Sequence, residues 1–73
     1  TLDAAQLKNT FSAMKAEDAA KLLLQMNASS QAKVLLILGT MDDGARSQVL
    51  AAMSKENAKT TAALVSKLLP AAP

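Results

Sequence analysis

Four methionines stand at positions 14, 26, 41 and 53, and each is followed within a few residues by polar, helix-starting residues. The breaks read Lys15-Ala16-Glu17-Asp18, Asn27 through Ser30, Asp42-Asp43 and Ser54-Lys55. Punctuation this frequent leaves no room for a long rod. Between the breaks, apolar residues recur at the three- and four-residue spacing of one helix face. Helices of about ten residues are marginal alone and must stack on their neighbours. The unit predicted from this spacing is a corner, a cap, a short helix and a terminal methionine. Units of that kind build a curved or spiral array with an exposed groove. The competing arrangement is an irregular five-helix bundle whose interval is an accident of helix length.

Composition decides between helix and strand. Sixteen of the 73 residues are alanine, the strongest helix former, and Phe11 is the only aromatic. Residues that favour strands are scarce. A chain of this length makes one domain near the lower limit for a self-sufficient core. A core of alanine, leucine and methionine is shallow, so its helices must approach closely to exclude water.

Asp3 is placed to cap a first helix with Ala4, Leu7, Phe11 and Met14 on its inner side. A second helix runs to about Met26, with Glu17 and Asp18 in its first turn, where the helix dipole favours carboxylates. Its inward stripe is Ala16, Ala19, Ala20, Leu23 and Leu24. Asn27 is the next predicted cap, and Ala32 to Leu38 is apolar at nearly every position, which marks a central helix. Gly39 is expected to end it in the left-handed cap conformation. Asp42 then caps a fourth helix facing inward through Ala45, Val49, Ala52 and Met53. Ser54 is expected to cap the last, with Ala58, Ala62, Val65, Leu68 and Leu69 facing in until Pro70 ends it.

The chain has neither cysteine nor histidine, which removes disulfides, thiolate nucleophiles, the usual zinc ligands and the common general base. Ser54 and Lys55 are merely adjacent, so a serine–lysine dyad has no support, and the expectation is a protein that is not an enzyme and takes no cofactor. Net charge is +2 with a single arginine and no stacking platform, which argues against a nucleic-acid partner. The longest wholly apolar run, Val34 to Leu38, is far short of the roughly 20 residues of a membrane span. The first residue is Thr1 and the last four are Pro-Ala-Ala-Pro, which reads as a domain taken from a longer protein.

Two acidic pairs, Glu17-Asp18 and Asp42-Asp43, are the weak candidates for a metal ion, since magnesium and calcium prefer oxygen ligands. Capping and first-turn charge account for all four without a metal, and neither pair has the spaced acidic pattern of a calcium loop. Methionines serve both as core fillers and on adaptable binding surfaces. Leu22, Leu24 and Leu36, which fall beside the main stripes, and Met41 are the predicted partner-binding residues.

The runs MKAEDAAKLLLQM and VLLILGTMDDGARSQVLAAMSKENAKTTAALVSKLL resemble the short-helix repeat of the magnesium-transporter N-domain-like superfamily. Within it, the phrasing in which Met14 leads to Ala19-Ala20, Met26 to Ala32 and Met53 to Ala58 is similar to the C-terminal domain of MotE- and YlxF-type flagellar proteins. The resemblance covers about residues 12–69. It implies a right-handed spiral and a non-enzymatic interaction module, a chaperone or partner of flagellar motor components. The parent protein would carry an N-terminal membrane anchor and a coiled-coil stem, so oligomerisation through that stem and a location outside the cytoplasmic membrane are expected. The other branch implies a cytosolic magnesium-sensing domain. That branch responds to magnesium through acidic residues at domain boundaries, whereas this chain is net basic. The expected fold is an all-α, right-handed superhelical array of about five short helices over residues 1–69, with 70–73 as a linker or tail.

Overall fold

The first helix starts from a reciprocal cap. The Asp3 carboxylate accepts from the Gln6 amide at 2.8 Å, and the Gln6 side-chain oxygen accepts from the Asp3 amide at 3.0 Å. Two backbone donors that a helix start would otherwise orphan are thereby satisfied. The computed structural model describes residues 1–69. Its elements are α1 (Ala4–Ala13), α2 (Ala16–Asn27), α3 (Gln31–Thr40), α4 (Asp43–Glu56) and α5 (Ala58–Leu68). There is no strand among the described residues, and the fold is all-α. The predicted tail at 70–73 lies outside them.

Alternate helices are neighbours. The packed pairs include α1 with α3, α3 with α5 and α2 with α4, joined by the sequential pairs α2–α3 and α4–α5. Extents of 33 × 26 × 26 Å leave no place for two long rods. The helix starts follow one step of 27 residues, since the N-caps of α1, α3 and α5 are Asp3, Ser30 and Asn57. Met14 and Met41 are separated by the same step, as are Met26 and Met53. The repeating unit is therefore a pair of helices, where the sequence reading takes a single helix. Methionine spacing looks uneven because the two helices of a pair differ in length: α1 and α3 have 10 residues, α2 has 12 and α4 has 14.

On α1, α2 and α4 the buried residues fall on the predicted stripes, whereas α3, read as apolar nearly all round, buries only Val34, Ile37 and Leu38 and leaves Ala32 and Leu36 exposed. Phe11, Ala19, Ala20, Leu23, Val34, Ile37, Leu38, Val49, Ala52 and Met53 are buried. Ala19 and Ala20 are completely covered, and α2–α4 is the most extensive helix pair. Small side chains let two backbones approach closely enough to exclude water.

Three predicted helix ends are corrected. Asn27 is the last residue of α2 and caps nothing; its Oδ1 is buried without a hydrogen-bond partner. Gly39 lies inside α3, which continues to Thr40, and no glycine has positive φ. Ser54 lies inside α4, and α5 is capped instead by Asn57, whose side-chain oxygen accepts from the Thr60 amide at 3.0 Å. Serine and glycine signal an end only when nothing prolongs the helix; here the next corner comes later and supplies other caps.

The mistaken start rotates the predicted face of α5. Its buried residues are Thr61 and Leu64, whereas Ala58, Ala62, Val65 and Leu69 are exposed and Leu68 is half-buried. Thr61 enters the core because its hydroxyl donates to the Asn57 carbonyl at 2.8 Å, leaving no unmet donor.

Gly39 gives a direct test of its corrected role. A Cβ there meets nothing within 4 Å. Gly39→Ala is expected to raise stability by about 0.5–1 kcal/mol, because glycine loses more freedom than alanine in a helix. A chemical-denaturation midpoint that falls would instead mark Gly39 as a cap.

Candidate functional site

The acidic candidates sit at helix starts. Glu17 and Asp18 occupy the first turn of α2, and Asp42 and Asp43 open α4. Asp42, the N-cap of α4, makes no side-chain capping bond; its carboxylate lies 3.5 Å from the Lys8 ammonium of α1. Asp43 meets the Arg46 guanidinium at 3.0 Å. Among the described residues no three carboxylates gather in a group that could hold a metal ion. In each pair the aspartate is exposed, so the ion pair itself adds little to stability.

Arg46 does more than pair with Asp43. Its Nε donates to the Leu38 carbonyl at 2.7 Å and one terminal nitrogen donates to the Gly39 carbonyl at 3.4 Å and to the Met41 carbonyl. These oxygens belong to the C-terminal end of α3, whose last turn has no basic residue of its own. A cation from the next helix thus occupies the negative end of the α3 dipole. In the sequence Arg46 counts only toward the net charge, as the single arginine. Its proximity to two aspartates was the only visible signal, and the α3–α4 corner that brings it back on the carbonyls was not.

The predicted partner-binding residues divide. Leu22 is 44% exposed and Leu36 57%, Leu24 is half-buried, and Met41 is only 2% exposed. Met41 is therefore a core residue: it directly follows α3, and its side chain belongs to the main cluster. The others are not brought together, since Leu24 lines a polar hollow with Lys21 and Glu56 whereas Leu36 lines a different, apolar one.

That second hollow joins α1 to α3. Leu2, Ala4 and Leu7 line it from the α1 side, Leu36 and Ile37 from α3, and Met26 of α2 also lines it. Leu2 is exposed as well, so two large aliphatic side chains face solvent across one groove. A separate apolar groove runs between α4 and α5, where Leu50 and Ala51 face Ala58, Ala62, Val65 and Leu69. Four of the five α5 residues expected to face the core, Ala58, Ala62, Val65 and Leu69, line this groove instead, and only Leu68 packs against the core.

Comparisons with protein-family models, with curated proteins and with solved structures find no match to the chain. The site is accordingly described from its own chemistry. Lys55, adjacent to Ser54, is exposed, whereas a serine–lysine dyad needs a desolvated lysine within hydrogen-bond reach. What the surface does offer is two apolar grooves between short helices. No helix among the described residues is long and apolar enough to cross a membrane.

Proposed function

We propose that this chain is a non-enzymatic protein-interaction domain, a right-handed superhelical array that serves as a chaperone or assembly module of a bacterial flagellar motor-associated protein. The observation that carries the interaction reading is the α1–α3 groove, where Leu2 and Leu36 are both exposed beside Leu7 and Met26. Contiguous apolar surface on a small domain marks a place where another surface is buried. An amphipathic helix of a flagellar motor component fits such a groove, with its apolar face inward. The flagellar setting rests on the sequence resemblance, as do the extracytoplasmic location and a parent protein with a membrane anchor and coiled coil. The magnesium-sensing alternative draws less support, because Asp42 and Asp43 each lie against a cation of the chain itself.

The test uses the whole gene product expressed with the motor proteins, carrying a photo-crosslinking residue at position 33, on the groove wall. The expected result is an adduct with one motor component that Leu36→Asp abolishes. Position 36 is exposed, so its replacement leaves the fold and its melting temperature nearly unchanged. The absence of any adduct, or one that Leu36→Asp leaves intact, ends this reading.

A further inference from the structure

With no cysteine in the sequence, all of its sulfur sits in the four methionines. The 27-residue step pairs them, Met14 with Met41 and Met26 with Met53. The members of each pair differ in cover. Met41 is 2% exposed and Met53 is fully buried, whereas Met14 and Met26 are half-buried. A thioether is oxidised where an oxidant reaches its sulfur, so cover sets the order in which the four react.

The two half-buried methionines face different spaces. Met14 lines a hollow of about 30 Å³ with Phe11 and Val49, both buried. That is room for roughly one or two water molecules. Met26 lines the α1–α3 groove, a hollow of about 410 Å³ bordered by the exposed Leu2 and Leu36. A peroxide, little larger than water, has ample space there. Met26 is also the one sulfur in that lining, beside Leu7, Leu36 and Ile37.

The chemistry follows from this placement. A lone pair on the Met26 Sδ attacks one oxygen of the peroxide, so that an S–O bond forms as the O–O bond breaks. Sulfur is oxidised by two electrons and the peroxide is reduced. The departing hydroxide takes up the proton left on the transferred oxygen and leaves as water. The product is a sulfoxide, polar where the thioether was apolar. The Leu7, Leu36 and Ile37 side chains offer its oxygen no donor. The polar side chains of the lining, Thr1 and Lys33, are exposed, so pairing the oxygen draws one of them, or water, into the groove. An apolar surface laid over it would otherwise bury an unpaired acceptor.

We infer that Met26 is an oxidation site of this protein, at which a peroxide-class oxidant turns the α1–α3 groove from apolar to polar. Its effect on docking rests on the reading that a partner helix is buried in this groove. Methionine sulfoxides are reduced enzymatically back to methionine, so the change is reversible.

The experiment treats the full chain with hydrogen peroxide for graded times and maps the added oxygen by proteolysis and mass spectrometry. Met26 is expected to react about fivefold or more faster than Met41 and Met53, and ahead of Met14. Once Met26 is modified, the methyl NMR signals of Leu7, Leu36 and Ile37 are expected to shift, while those of the covered Leu64 stay in place. Met26→Leu, nearly volume-conserving, is expected to remove these shifts, and Met14→Leu to leave them. Whole gene product oxidised before it meets the motor proteins is expected to give about tenfold less crosslinked adduct than untreated protein. In Met26→Leu, treated and untreated protein are expected to give equal yields. Met26 reacting no faster than the covered methionines, or behind Met14, overturns the inference. So do unmoved groove methyls, or an adduct yield that survives sulfoxidation. An untreated protein that forms no adduct ends the docking reading instead, and the peptide map and methyl shifts decide the oxidation site without a partner.

Discussion

Leu38→Ala is expected to remove about half of the stability of this protein. Leu38 has no exposed surface and lies on α3, the helix that packs against α1, α2 and α5. Truncating a fully buried leucine costs about 2–5 kcal/mol, through lost burial and the cavity left behind. A 73-residue domain has only about 4–11 kcal/mol in total. For a chain of this size each kcal/mol moves the melting temperature by about 4–8 °C, so a fall of at least about 10 °C is expected in a circular-dichroism melt. Leu36→Ala is the control, because the same change two residues away on an exposed position alters stability by less than about 0.5 kcal/mol. Equal effects at the two positions would refute the burial pattern assigned to α3.

The second large effect is expected at Arg46. Arg46→Ala removes the donors that satisfy the Leu38, Gly39 and Met41 carbonyls and the cation at the end of α3. Hydrogen bonds from a charged group contribute about 1.5–3 kcal/mol. The side chain is about three-quarters covered, at 26% exposure, so solvent screening takes only part of this. Arg46→Lys should not restore the loss, because one ammonium cannot reproduce the forked, planar set of donors. Hydrogen exchange offers the sharper readout. Amides in the α3–α4 corner should exchange faster in both variants while those at the start of α1 stay unchanged. Full protection in Arg46→Lys would show that charge alone holds the corner.

Much of this architecture is legible in the residues. Asp3 reads as a cap and is one, and the stripes of α1, α2 and α4 follow the buried sets closely because apolar residues there keep helical period. Three corners read wrongly for a shared reason: serine, asparagine and glycine are ambiguous between a helix end and a helix interior. The two-helix unit is written in the methionines as well, though only when every second one is compared. Arg46 was out of reach, since its role depends on a corner folding α4 back against the end of α3. Of the partner-binding candidates, Leu36 lines an apolar groove as a side-stripe residue would, whereas Met41 was misplaced because a methionine at a helix end can turn either way.

The equivalence of Asp3, Ser30 and Asn57 has a consequence for how such a protein changes length. Each of these helices begins on a short polar residue, although only Asp3 and Asn57 cap with their side chains, and each packs chiefly on its neighbours in the array. Copying residues 30–56 in frame after Glu56 would add a helix pair and leave both extremities as they are. A gene of this design grows by duplication without having to invent a new junction.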